Sequence, residues 1–335
     1  MAFDQIVNNI QAKKFAPVYL LHGEEEYYID KIVESLEKHV LKEEEKGFNE
    51  TVFYGNEINF GTLIEAAKRY PMMAEHQLII VKEAQNLKKF EEFESYLLNP
   101  TPTTILVLAH KHSKIDSRKK AVKLIGKHGV VFASDRLREY QIPKWINRRV
   151  ESKNYKISAK ASALLQEFLG LELSKISNEL DKLMLNLPEG STIEDKDIQK
   201  FVGINKDFNY FELQNAIMKG DAAKAQQIAL YFGKSQKQHP IQVTFILLLK
   251  FYVALLRYHF VKPKDRNKER LPKAMGVSPY FLNDYVQAAK MYNGKVVFRN
   301  IGLLRKYDLM SKGKGTTDSH PSVILKELIP QLLMK

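Results

Sequence analysis

The chain reads as an α/β N-terminal domain, a parallel sheet with helices on both faces, followed by two all-α domains. Three observations predict this. Five strand-like runs fall within the first 140 residues, and each gap between them is long enough for a crossover helix. After "SDRLREY" (134–140) the strand signal stops and the remainder follows helical spacing. Charge divides the same way: Lys+Arg against Asp+Glu is 20 against 21 for residues 1–140, 11 against 10 for 141–210 and 21 against 8 for 211–335, so the last segment alone carries an excess equal to the net +13. At 335 residues, 44% hydrophobic and 27% charged, the chain is long enough for more than one core.

The strand-like runs are "PVYLLH" (17–22), "TVFYG" (51–55), "QLIIVK" (77–82), "TTILVLA" (103–109) and "GVVFA" (129–133). Between the first two, Ile29, Ile32, Val33, Leu36 and Val40 form an apolar stripe at steps of three and four. Leu63, Ala66 and Ala67 do the same before Tyr70, and Pro71 is expected to stop that helix. Downstream, Leu173, Ile176, Leu180, Leu183 and Leu187 predict a helix ending at Pro188–Gly190, with Ser191–Glu194 as a capping box for the next. Gly220 and Asp221 read as the end of one helix and the cap of another. Later helices are expected at roughly 239–262, 279–292, 296–311 and 320–334, separated by the polar insert 262–273, expected as a mobile loop, and the turn 311–321. The domains are therefore 1–140, 141–208 and 209–335.

The opening strand, glycine and helix have the layout of a phosphate-binding loop, yet Glu24, Glu25 and Glu26 stand where such a loop carries lysine and small residues. Three carboxylates repel a triphosphate, while acids ahead of a helix suit the positive end of its dipole. The one GK[ST] sequence, Gly233–Lys234–Ser235, has Ile228 in place of the leading glycine and lies at the end of a helical pattern, so Gly233 reads as a helix C-cap. The third strand ends in Lys82–Glu83 rather than paired acids. His110 and His112 find no third metal ligand at a recognised spacing and read as solvated. No catalytic residue, cofactor or metal is expected.

Zero cysteines exclude disulfides and thiol catalysis and agree with a cytoplasmic location. The start "MAFDQIVNNI" lacks the features of a secretory signal, and "FILLLKFYVALL" (245–256), interrupted by Lys250, reads as a buried helix rather than a membrane span. The basic last third fits either a surface near a polyanion or a solvated surplus of charge. In "RYPMMAEHQLIIV", Met72 and Met73 stand side by side on a short turn and cannot easily share one core, so at least one is expected at the surface; the alternative tucks both under the sheet edge.

Taken in order, "VYLLHGEEEYYIDK", "YPMMAEHQLIIVKEA", "ILVLAHKHSKIDSRKK", "LELSKISNELDKL", "FELQNAIMKGDAAKA" and "GVSPYFLNDYVQAAKMY" resemble the bacterial DNA polymerase III delta subunit over essentially the whole chain. The resemblance implies an AAA+-like domain without ATP binding, a small helical lid and a helical collar for oligomerisation. It implies a clamp-loader component of the DNA replication machinery that binds and opens the sliding clamp, the beta subunit, while polymerisation resides in other subunits of the holoenzyme. The implied partners are the clamp, the ATPase gamma/tau subunits, delta prime and, through the assembled loader, primer–template DNA. It also implies that Met72 and Met73 occupy the clamp-gripping position, where many relatives carry leucine or phenylalanine. A free-standing nucleic-acid-binding protein is the rival reading, favoured by the basic last third alone.

Overall fold

The computed structural model describes residues 2–201, 208–315 and 320–334. Contacts divide the chain into two compact units, Met1–Arg138 and Glu139–Lys335.

The first unit runs α1 (Phe3–Gln11), β1 (Val18–Gly23), α2 (Glu26–His39), α3 (Glu43–Asn49), β2 (Glu50–Tyr54), α4 (Phe60–Ala67), β3 (Gln77–Lys82), α5 (Glu94–Leu97), β4 (Thr104–His110), α6 (Lys120–His128) and β5 (Val130–Ser134). The five strands lie in the order β2-β3-β4-β1-β5, and every neighbouring pair is parallel. Alternation along each strand feeds two cores. Leu20, Ile79, Val81, Leu106 and Leu108 point to one face and pack with Phe60 and Leu63 of α4 and Ile125 of α6. Tyr19, Leu21, Leu78, Ile80, Ile105 and Val107 point to the other and pack with Ile6 and Ile10 of α1 and Ile29, Ile32 and Leu36 of α2. Because both faces are covered, the inner strands read as continuous apolar runs, and each fully buried side chain contributes roughly 1.5–3 kcal/mol.

The second unit is mostly helical: α7 (Ile142–Glu151), β6 (Lys156–Ile157), α8 (Ala159–Leu169), α9 (Leu173–Leu185), β7 (Thr192–Ile193), α10 (Asp195–Phe201), α11 (Tyr210–Lys219), α12 (Ala222–Lys234), α13 (Ile241–Phe260), α14 (Leu271–Met275), α15 (Leu282–Met291), α16 (Gly294–Ser311) and α17 (Pro321–Leu333). Gly220 closes α11 in the left-handed region, and the Asp221 carboxylate caps α12 by accepting from the Lys224 amide. Helix α13 is long and apolar enough to cross a membrane by length and composition. Here it buries Phe251, Tyr252 and Leu255, and the Tyr252 hydroxyl donates to the Leu332 carbonyl of α17.

Several expectations are corrected. Two short strands follow residue 140: β6 pairs in parallel with β7, and Ser191–Ile193 are used there, so Ser191 does not open a helix and α10 starts at Asp195. The Asp197 carboxylate accepts from the Glu194 amide ahead of α10. Leu187 lies beyond the end of α9, half-buried. Gly233 does not cap a helix; it is buried inside α12, where an added Cβ would come within 2.5 Å of the Ser322 Cα at the start of α17. Close helix approach, not a left-handed turn, requires the glycine there. The insert 262–273 is partly built into the fold: Leu271 and Pro272 are buried in α14, and Arg266 donates to the Val261 carbonyl while stacking over the Tyr258 ring. Of the predicted turn 311–321, residues 316–319 lie outside the described residues. Helix α4 ends at Ala67, four residues before Pro71.

Candidate functional site

The connection from α4 to β3 forms a tip whose two ends are fastened by buried amides. At one end the Gln77 side-chain amide donates to the Arg69 carbonyl at 2.6 Å and to the Thr104 hydroxyl at 2.7 Å, and that hydroxyl donates to the Ala67 carbonyl at 2.7 Å. The last carbonyls of α4 thus find partners without water. At the other end Asn49, the last residue of α3 and only 3% exposed, reaches across to Met72. Its Oδ1 accepts from the Met72 amide at 2.6 Å, and its Nδ2 donates to the Met72 carbonyl at 2.9 Å and to the Glu45 carbonyl at 3.0 Å.

Between these fastenings both methionines project outward. Met72 is 61% exposed and Met73 fully so, and Met73 sits at φ +53°, the left-handed region that costs a non-glycine residue on the order of 1 kcal/mol or more. The chain then turns back, and Ala74 packs against the core on the α1–α2 face. Of the two positions weighed from the sequence, the surface one holds for both residues. Sequence reasoning missed three neighbours: Asn49, and the aromatics Tyr70 (82% exposed) and Phe48 (76% exposed), the latter adjacent to Asn49 in the chain. Asn49 lies 23 residues from Met72 and carries no local signal. Tyr70 continues the spacing of Leu63, Ala66 and Ala67, so the sequence reads it as part of the buried stripe, but α4 ends at Ala67 and leaves it exposed.

At the opposite edge of the sheet, β1 passes into α2 with only Glu24 and Glu25 between them. A phosphate-wrapping loop needs more chain than that. Gly23 has φ +137°, and a Cβ on it would meet the Ser134 carbonyl oxygen at 2.0 Å. The Glu24 amide donates to that same carbonyl at 2.9 Å, and the Ser134 hydroxyl donates to the Glu25 carbonyl at 2.7 Å, so the end of β5 occupies the mouth of the turn. The Glu25 carboxylate accepts from the Tyr27 amide as the cap of α2. Glu26 faces Lys111 at 3.6 Å and His112 at 2.8 Å, and Lys111 also pairs with Asp30 at 2.7 Å.

The histidines correct one expectation. His112 is exposed beside Glu26, but His110 is half-buried as the last residue of β4, in register with His22 of β1. Its Nδ1–H donates to the Ser113 carbonyl at 3.1 Å, whereas His22 Nδ1 accepts from the Ile115 amide. Burial lowers the pKa of both below the ordinary imidazole value. Among the described residues no three side chains are grouped to hold a metal ion.

Fold and site define a protein with a five-stranded parallel α/β domain, a closed turn after β1 and an exposed apolar tip. The model of the family "DNA polymerase III, delta subunit" matches residues 19–135, which span both features. The DNA polymerase III subunit delta of Bacillus subtilis is 26% identical over the whole of this chain and 98% of its own length. A probable subunit delta of Aquifex aeolicus is 24% identical over 88% of this chain and 86% of its own. The solved Bacillus subtilis DNA clamp loader delta protein covers 99% of both chains at 23% identity with a TM-score of 0.64, a likeness of fold. Over its whole length the chain is thus similar to bacterial DNA polymerase III delta subunits.

Proposed function

We propose that this chain is the clamp-loader component that grips the sliding clamp and favours its open form, with no ATP binding of its own. One observation carries the reading: two adjacent methionines stand out from a tip that Asn49 and Gln77 fasten by hydrogen bonds. Methionine side chains adapt to an apolar pocket, and an anchor buried in such a pocket contributes on the order of 2 kcal/mol or more. That energy does mechanical work only if the open clamp binds the tip more tightly than the closed one, since a ligand shifts an equilibrium by its differential affinity. In this reading residues 141–208 act as a lid and 209–335 as a collar joining the ATPase gamma/tau subunits and delta prime, which supply the nucleotide chemistry. Primer–template DNA is met by the assembled loader.

The test is to replace Met72 and Met73 together by Ser. Capture of the cognate clamp should weaken by at least about thirtyfold, the factor of one ~2 kcal/mol anchor. Stability should change by no more than about 0.5 kcal/mol, as for other exposed positions. Undiminished capture would remove the tip from the mechanism.

A further inference from the structure

Exposed apolar residues on a turn grip a pocket only if the turn is already shaped for it, because ordering it on contact consumes part of the binding energy. Three features set the shape here. Asn49 holds both polar groups of the Met72 backbone, the amide at 2.6 Å and the carbonyl at 2.9 Å. Its amide is itself spent fully, the remaining Nδ2 hydrogen going to the Glu45 carbonyl inside α3. Met73, next in the chain, sits in the left-handed region, a conformation that persists where its surroundings over-determine it.

We infer that Asn49 is a positioning residue for the clamp-gripping tip: through its side-chain amide it fixes the Met72 backbone and with it the direction in which the Met72 and Met73 side chains are offered. This deepens the reading of the tip given above and rests on it. Aspartate at this position keeps the acceptor for the Met72 amide but turns a carboxylate oxygen toward the Met72 and Glu45 carbonyls. Alanine removes both bonds. Neither change touches a side chain that meets the clamp, so any loss of grip passes through the backbone of Met72.

The experiment follows clamp binding and amide hydrogen exchange in the full chain. In the unmodified protein the Met72 amide should exchange slowly although its side chain is exposed. In Asn49→Ala, which lacks the acceptor, it should exchange at the rate of an open turn, and in both Asn49→Ala and Asn49→Asp affinity for purified clamp should fall by about tenfold or more. When either change is added to the Met72→Ser, Met73→Ser double variant, it should cost no further affinity, since the tip it serves is gone. Fast exchange of the Met72 amide in the unmodified protein would overturn the inference without any variant. So would full clamp affinity in Asn49→Ala with its Met72 amide unprotected. Full clamp affinity in the double serine variant would instead overturn the reading of the tip, a separable result because the exchange measurements do not involve the clamp.

Discussion

At Met73 the side chain is wholly in water and so adds no burial energy, and the backbone is in a region methionine seldom visits, which costs stability. Neither fact serves folding, and the Asn49 amide that holds the preceding residue, Met72, is itself fully hydrogen-bonded. Gly23 shows the converse. Its positive φ and its contact with Ser134 admit no side chain, and they serve to shut a turn rather than to open one to a phosphate. Titration of the purified chain with Mg-ATP by calorimetry should accordingly give no binding heat; a saturable isotherm would show that Glu24–Glu26 and Ser134 do not close the site. The acids were legible in the sequence because charge is read one residue at a time. Closure by Ser134 was not, since it joins residues more than a hundred positions apart.

Among the elements, the strands and long helices followed directly from spacing. All five sheet strands were foreseen to within a residue or two, because apolar runs bounded by polar turns leave few alternatives at that length. The two-residue strands β6 and β7 had no such signal: a pairing that short is set by the helices around it. Gly233 was misread because one residue type serves both a left-handed cap and a close helix contact, and only the partner helix distinguishes them. In the second unit Glu167 of α8 accepts from the Tyr285 hydroxyl of α15 at 2.6 Å, and Gln214 of α11 donates to that hydroxyl at 3.0 Å. Burial raises the Glu167 pKa above its ordinary value of 4.5, against the lowering effects of Tyr285, Gln214 and Lys250; nearby Asp284 reinforces the rise. A carboxyl that holds its proton more tightly when folded contributes stability below its unfolded pKa and loses it as pH rises through the folded one. Glu167→Gln retains an acceptor for Tyr285 and has no proton to lose. Its urea midpoint, compared with that of the unmodified chain from about pH 4 to about pH 8, should show a gain that appears only toward the upper end. A constant offset across the range would mean that Glu167 does not titrate in this window.

Over the whole molecule, charge and fold separate: the sheet-bearing residues 1–140 balance 20 basic against 21 acidic residues, while the excess of 21 basic over 8 acidic residues lies in 211–335. A surplus used against phosphates releases counterions, so it has a salt signature that a mere solubility surplus lacks. Fluorescence anisotropy with primed DNA should show affinity falling by about tenfold or more between about 50 and about 200 mM salt, the response of only two neutralised phosphates. A flat titration would leave the basic helices without a nucleic-acid role in the isolated chain. Binding that survives removal of clamp and ATPase subunits from the cell extract would favour an independent nucleic-acid-binding protein.

The parallel run of the sheet has one more consequence. With every strand pointing the same way, the methionine turn stands at the edge where β3 begins, while the shut turn stands where β1 ends. A six-residue strand separates those edges by about 20 Å. Two large bodies can therefore hold this domain from opposite sides at the same moment, and a pull on one is carried to the other along stiff hydrogen-bonded ribbons, as load passes through a strut.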